Sequence, residues 1–251
     1  MASELVFLDR EKFLPVQDFV EEKEVVVLDL LKLAELQADD EAYELEDDPT
    51  TLDESYLKQF RRAIPVQLLE RGVSEGTAKL FGVRTDVYGM RIVMPVRNIG
   101  GTLIGVIFRQ IYDRPDTPKY WYHDFKRSKV LFGMYEQIDR LRSDDCPGVI
   151  VVEGPIDAMC LVGALPYASV AVLGSAISNW QAELLRLQCF GKEVIVIADG
   201  DEAGEDLVES CRRKLGWFVE TSTVVLPNDE DPASLGADTI LNLIEQKLPL
   251  R

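Results

Sequence analysis

In three places this 251-residue sequence puts carboxylates where an apolar run stops. Glu153 follows "GVIVV", Asp199 and Asp201 follow "EVIVIA", and Asp231 comes soon after "TVVLP". Residues i and i+2 of an extended chain point the same way, so Asp199 and Asp201 can offer two carboxylates to one side, while Gly200 loosens the backbone between them. Neighbouring parallel strands lie about 5 Å apart, which brings Glu153, at the end of another strand, within reach of that pair. Asp157 stands four residues beyond Glu153, in the first turn of a helix that Pro155 can open. Carboxylates crowded in this way repel one another unless a cation lies between them. Mg²⁺ suits the role, because it prefers oxygen ligands and keeps waters that phosphates can replace. Two such ions can activate an attacking hydroxyl and stabilise a leaving pyrophosphate. The plainer alternative makes these acids helix caps and first-turn acids that favour the helix dipole. It suffices for one aspartate at a strand–helix junction. For Glu153, Asp157, Asp199 and Asp201 together, with Gly154 and Gly204 beside them, a shared cation site is expected.

The second chemical signal is basic. The chain has a formal net charge of −17, which taken whole argues against a nucleic-acid partner, but residues 57–129 hold 14 basic and 6 acidic side chains. Within them, "KYWYHDFKRSK" interleaves Lys119, Lys126, Arg127 and Lys129 with Tyr120, Trp121, Tyr122 and Phe125. Such a mix holds single strands, with bases stacked on rings and phosphates on cations. Each ring taken alone is better explained by packing between subdomains, and His123, the single histidine, reads as a surface or packing residue. Pro95 and Gly105 are expected to serve turns and close packing.

The elements that must position these groups follow from the spacing of apolar residues. After Pro147, short aliphatic runs alternate with helical stretches: "GVIVVE", "ASVAVLG", "EVIVIAD" and "FVETSTVVLP" against "PIDAMCLVGA", "SNWQAELLRLQ", "EAGEDLVESCRRKLG" and "TILNLIEQ". That alternation predicts a parallel α/β sheet with helices on both faces, and ligands of such sheets bind beyond the carboxyl ends of the strands. Residues 52–146 read as a smaller, basic α+β subdomain. Its helices break near Pro65, Ser74 caps the next helix and Gly82 stops it, and "RIVMPVRN" and "TLIGVIFRQIY" form a hairpin turning at Gly100–Gly101. Residues 1–51 read as an acidic segment, helix-like and then a solvated linker. Residues 147–251 form the catalytic part. The cysteines, Cys146, Cys160, Cys189 and Cys211, make no CxxC pair and read as scattered reduced thiols. No apolar run is long enough for a transmembrane helix and no signal peptide is apparent, so a cytoplasmic location without membrane contact is expected.

The motifs together resemble a known family. "VVEGPIDA" and "VIADGDEAG" are similar to the Glu-Gly and Asp-x-Asp halves of the Toprim signature, shared by bacterial-type primases, topoisomerases and some nucleases and repair proteins. "LLERGVSEGTAKLFGV", "YGMRIVMPVRNIGGTLIGVIFRQI", "PKYWYHDFKRSKVLFGMYE", "LGSAISNWQAELL" and "LPNDEDPASLG" resemble, in the same order, segments of the bacterial (DnaG-type) DNA primase from about Leu52 to Leu243. The resemblance implies a Toprim fold, Rossmann-like, and a core that makes short RNA primers on single-stranded DNA from ribonucleoside triphosphates, using Mg²⁺ or Mn²⁺. It assigns Glu153, Asp199 and Asp201 to catalysis and Glu153, Asp157, Asp199, Asp201 and Asp231 to metal. Arg91, Arg109, Lys119, Lys126, Arg127 and Lys129 are assigned to nucleotide and DNA. One departure stands out: the family reads Asp-Pro-Asp at the last acidic site, and here Ala233 replaces the second acid, with Asp229 as a candidate substitute.

Neither a Walker A pattern nor a Cys/His zinc module is apparent. The expectation is a primase core of a viral or split system that relies on a replicative helicase or a separate zinc-binding subunit, acting in the cytoplasm or at a viral replication site. The rivals are a Toprim nuclease, which turns the same acids on water, and a DNA-binding scaffold with a degenerate site. Segment 89–133 argues against the first and the intact acids against the second.

Overall fold

A computed structural model describes residues 51–112, 117–189, 191–227 and 230–250. The acidic segment expected over residues 1–51 lies outside them except for Thr51, and so does Asp229. The described residues belong to one compact unit, Asp47–Arg251.

That unit holds two sheets. The first is antiparallel, with strands β1 (Arg84–Thr85), β2 (Arg91–Arg97), β3 (Leu103–Gln110) and β4 (Tyr120–His123) side by side in that order. Before it come a 3₁₀ turn at Glu54–Gln59 and helices α1 (Val66–Glu70) and α2 (Glu75–Leu80). Pro65 precedes α1, Ser74 caps α2 through the Thr77 amide, and Gly82 follows with φ of +63°. The β2–β3 hairpin turns through Gly101, at φ +86°, where a residue with a side chain would be strained. Gly105 permits another close approach: a β-carbon there would meet the Phe125 ring at 2.3 Å and the His123 carbonyl at 2.5 Å.

A 3₁₀ turn at Arg127–Lys129 and helix α3 (Met134–Arg142) lead to the second sheet. Its strands are β5 (Gly148–Val152), β6 (Ala168–Ala171), β7 (Glu193–Ala198), β8 (Thr221–Val225) and β9 (Leu248–Pro249), in the order β6-β5-β7-β8-β9. The first four are parallel, and β9 joins the edge antiparallel to β8. Between them run α4 (Pro155–Leu161), α5 (Asn179–Gln188), α6 (Glu202–Leu215), α7 (Pro232–Leu235) and α8 (Ala237–Ile244). The aliphatic runs are continuous because the parallel strands are buried on both faces. Val149, Val151, Val170, Val194 and Val196 pack with α3, α5 and α6, while Ile150, Val152, Ala171, Ile195 and Ile197 pack with α4 and α8.

The second of these apolar layers also contains Phe81, Ile92, Met94, Ile104 and Ile107 of the antiparallel part, so the two sheets share one core. A bridge between Phe132 and Ala171 ties the connecting segment to the parallel sheet at β6. Buried Gln181 reinforces the tie, its amide nitrogen donating to the carbonyls of Arg127, Val130 and Val172. All four cysteines are free thiols, and only Cys160 is less than fully buried. Among the described residues, no helix is long and apolar enough to cross a membrane.

Candidate active site

Parallel register decides where the acids meet. β5 and β7 pair with Val151 opposite Val196, so Glu153 and Asp199 leave adjacent strands side by side at their carboxyl ends. The next residues enter helices. Asp201 caps α6, its Oδ1 accepting from the Gly204 amide at 2.9 Å, and Asp231 caps α7 by accepting from the Ser234 amide at 2.8 Å. The cap reading therefore holds for these two residues. It does not compete with ligand binding, since each cap bond uses one carboxylate oxygen.

Asp157 lies in the first turn of α4, so close to Gly154 that a β-carbon on that glycine would stand 2.3 Å from its Oδ2. Burial, and then the neighbouring charges of Asp199 and Asp231, push the Asp157 carboxyl up to about 7. Glu153 is pushed to about 7 by burial and by Asp199 and Asp201, against a hydrogen bond from the Asp199 main chain. Asp199 rises to about 6 through burial and the charges of Asp231 and Asp201. All five predicted acids are thus electrostatic neighbours, drawn from the ends of two strands and the starts of three helices. They are not a preformed coordination shell: among the described residues, no three metal-ligating side chains converge closely enough to hold one ion. Glu153 Oε1 is buried with no hydrogen-bond partner. An orphaned carboxylate oxygen among like charges fits a cation, which would relieve both deficits.

The basic residues separate into different situations. Lys119 is exposed and close enough to Asp157 and Asp199 to pull both carboxyls downward, so the antiparallel part delivers one cation to the acids. Arg109 is only 3% exposed; its Nε donates to the Tyr120 hydroxyl at 3.1 Å and its guanidinium lies 5.5 Å from that ring. Arg109 therefore has no open face for a template and instead holds Tyr120, which lies near Asp157. Arg127 stacks 4.8 Å from the Tyr122 ring and donates to the Leu173 carbonyl. Since the Leu173 amide bonds the Glu153 carbonyl, Arg127 grips backbone next to the acids. Lys126 and Lys129 are exposed on the 3₁₀ segment. Arg91 lies 5.4 Å from the exposed Trp121 ring, not beside the acids. Tyr120, Tyr122 and Phe125 pack against the shared core, and His123 stacks on Tyr56 and pairs with Asp124.

Sequence reasoning missed Gln181, which fastens the basic segment to the parallel sheet. The signal was present as Ser178-x-x-Gln181, a capping box in which Ser178 Oγ accepts from the Gln181 amide and Gln181 Oε1 from the Ser178 amide.

Known proteins are similar to this chain in sequence and fold. Residues 150–235 match the family described as Toprim-like. The chain is 32% identical over 177 residues to a DNA primase of Legionella pneumophila, covering 66% of this chain and 30% of that protein. It is 34% identical over 156 residues to a DNA primase of Aquifex aeolicus, covering 60% and 30%. The chain thus spans about 30% of the length of these curated relatives. The crystal structure of the Aquifex aeolicus primase zinc-binding and RNA polymerase domains superposes with a TM-score of 0.61 at 25% identity, over 72% of this chain and 55% of that one. These likenesses do not favour the nuclease or the scaffold.

Proposed function

We propose that this chain, a catalytic core of the bacterial DnaG-type primase family built around a Toprim domain, joins ribonucleotides into short RNA primers on single-stranded DNA. One observation carries the reading: Glu153, Asp157 and Asp199 share a partly buried, mutually repelling site that Lys119 approaches from the other sheet. In the reaction, a 3′-hydroxyl attacks the α-phosphorus of a ribonucleoside triphosphate, an O–P bond forms, and pyrophosphate leaves as the hydroxyl proton is lost. Glu153, Asp157, Asp199, Asp201 and Asp231 would hold a divalent metal, Mg²⁺ or Mn²⁺, which would neutralise phosphate charge. Glu153 takes the hydroxyl proton as general base. Lys119 meets the triphosphate, and Lys126, Arg127 and Lys129 guide the strand. Arg109 acts through Tyr120. With Ala233 in place of the second acid, Asp231 and Glu230 are the described acids at the last acidic site.

Residues 52–146 and 147–251 are the basic and catalytic parts of this core, and the acidic residues 1–51 precede them. A replicative helicase or a separate zinc-binding subunit is its partner, in the cytoplasm or at a viral replication site. The test is incubation with single-stranded DNA, labelled ribonucleotides and Mg²⁺ or Mn²⁺. Short RNA is expected. Degraded template would make the protein a nuclease, and tight binding with neither product would make it a scaffold.

A further inference from the structure

The chain leaves β6 in a conformation that its sequence does not favour. Strand β6 ends at Ala171, and Leu173, just beyond it, has a φ of +63°. Glycine alone takes that left-handed region freely, because a β-carbon crowds the backbone there. Gly174 follows directly, yet the leucine makes the turn. Among the described residues, the other non-glycine residue with a positive φ is Asp124, whose short polar side chain bears that geometry more readily.

Backbone strain persists only where the surroundings over-determine it, and it gathers at functional sites. Leu173 is held at three points. Its side chain, 2% exposed, belongs to the core that the two sheets share. Its amide donates to the Glu153 carbonyl at 3.0 Å, directly after the Val172 amide has donated to the Val152 carbonyl. Its own carbonyl accepts from Arg127 Nη1 at 3.1 Å. The Arg127 segment is anchored in turn: Gln181 Nε2 donates to the Arg127 carbonyl, and Ser178 Oγ donates to the Ser128 carbonyl at 2.6 Å. A glycine would take the turn without strain but would lose the anchor in the core. The leucine supplies anchor, donor and acceptor from one residue.

The residue that gains is Glu153. It follows β5 directly, and Gly154 and Pro155 then carry the chain into α4. On the β6 side, the Leu173 amide grips its main chain. Glu153 Oε1 is buried with no hydrogen-bond partner, so its aim depends on the main chain behind it.

We propose that Leu173 is a positioning residue for Glu153: its left-handed turn fixes the main chain that aims the carboxylate, and ties that main chain to the basic segment through Arg127. The proposal rests on the reading of Glu153 as a metal ligand and base in primer synthesis. Leu173 touches no reactant; it acts through the residue it holds.

Leu173→Ile tests it in the full chain, because isoleucine keeps the apolar volume that a core tolerates, while branching at Cβ disfavours the left-handed region. The kcat of primer synthesis should fall about 10- to 100-fold, with the KM for nucleotide little changed. The Mn²⁺ concentration that gives half of the metal-induced rise in melting temperature should increase by a similar factor, about 10- to 100-fold. Leu173→Met is equally apolar and unbranched at Cβ, so it should recover most of both losses. A role in packing alone would lower the melting temperature with and without metal and leave the Mn²⁺ midpoint where it was. An unchanged midpoint in Leu173→Ile, or equal losses in Leu173→Met, would overturn the proposal. A wild type that makes RNA, matched by Leu173→Ile in kcat and midpoint, would remove the positioning role and leave the polymerase reading standing. A wild type that makes no RNA, while Leu173→Ile still shifts the midpoint and Leu173→Met does not, would do the reverse.

Discussion

Gly204 lies so close to the backbone of Asp199 that an added β-carbon would stand 2.0 Å from the Asp199 carbonyl oxygen. Helix α6 is thereby pressed onto the strand end that carries Asp199, and its cap residue, Asp201, is held in the same place. Alanine in place of glycine within a helix ordinarily stabilises it by about 1 kcal/mol. Here Gly204→Ala should instead destabilise by about 1–3 kcal/mol, the range for overpacking, and should reduce primer synthesis by displacing both acids. Thermal melting alongside a primer assay checks this, and a more stable, fully active variant would refute the close approach.

Asp199→Asn keeps the shape and removes a ligand charge. Primer synthesis should fall by orders of magnitude. Without metal the variant should melt at the same temperature as wild type or higher, because repulsion with Asp201 and Asp231 is relieved. Added Mg²⁺ or Mn²⁺ should raise the melting temperature of wild type more than that of the variant. Glu153→Gln should follow the same pattern, with the larger loss of activity if Glu153 is the base. Full activity and an unchanged metal response in both variants would reduce the acids to helix caps.

Stability should depend on pH in a direction set by these acids. The folded-state carboxyls of Glu153 and Asp157 lie near 7 and that of Asp199 near 6, above their unfolded values. Between about pH 4 and 7 the native state therefore holds protons that the unfolded chain has released. In metal-free buffer, their contribution falls as pH rises through that window. Bound cation should reverse the trend, so the melting-temperature gain from Mg²⁺ should grow from pH 5.5 to 8. A gain that does not change with pH would separate metal binding from these carboxyls.

Lys119 and Arg109 should respond differently to truncation. Lys119 is exposed, so Lys119→Ala should change stability by less than about 0.5 kcal/mol. It should also raise the KM for nucleotide and shift the acid limb of the pH–rate profile upward, because Asp157 and Asp199 lose a neighbour that holds their carboxyls down. Arg109→Ala leaves the Tyr120 hydroxyl without its donor and should cost about 1–3 kcal/mol in a denaturant melt. Equal stability losses in the two variants would contradict the burial difference.

The alternation of aliphatic runs with helical stretches, the strand ends bearing Glu153 and Asp199, and the β2–β3 hairpin were all legible in the sequence. Those signals are local: burial on both faces of a strand, or on one face of a helix, shows as a period in adjacent residues. Helix α3 had the same kind of signal in Met134, Ile138 and Leu141, yet it lies in a stretch whose aromatic and basic residues suggest a surface strip. Strand β4 passed as part of that strip for the same reason, and β9 is too short to show a period.

The fates of the cations were not legible. Arg109, Lys119 and Arg91 are alike in charge and lie near one another in sequence. Yet one is buried against Tyr120, one faces the acids, and one rests by Trp121 on the opposite face. Tyr120 and Trp121 show why. They are consecutive, but the pleat sends one toward the shared core and the other toward solvent, and a register shift of a single residue would exchange them. The same holds for the acids. Their types and strand-end positions are written in the chain, but their mutual repulsion exists only because parallel pairing sets β5 beside β7 and buries their ends together. Composition can supply the charges; only the packed sheets set the distances, and the energy of an interaction between charges depends on distance and on burial.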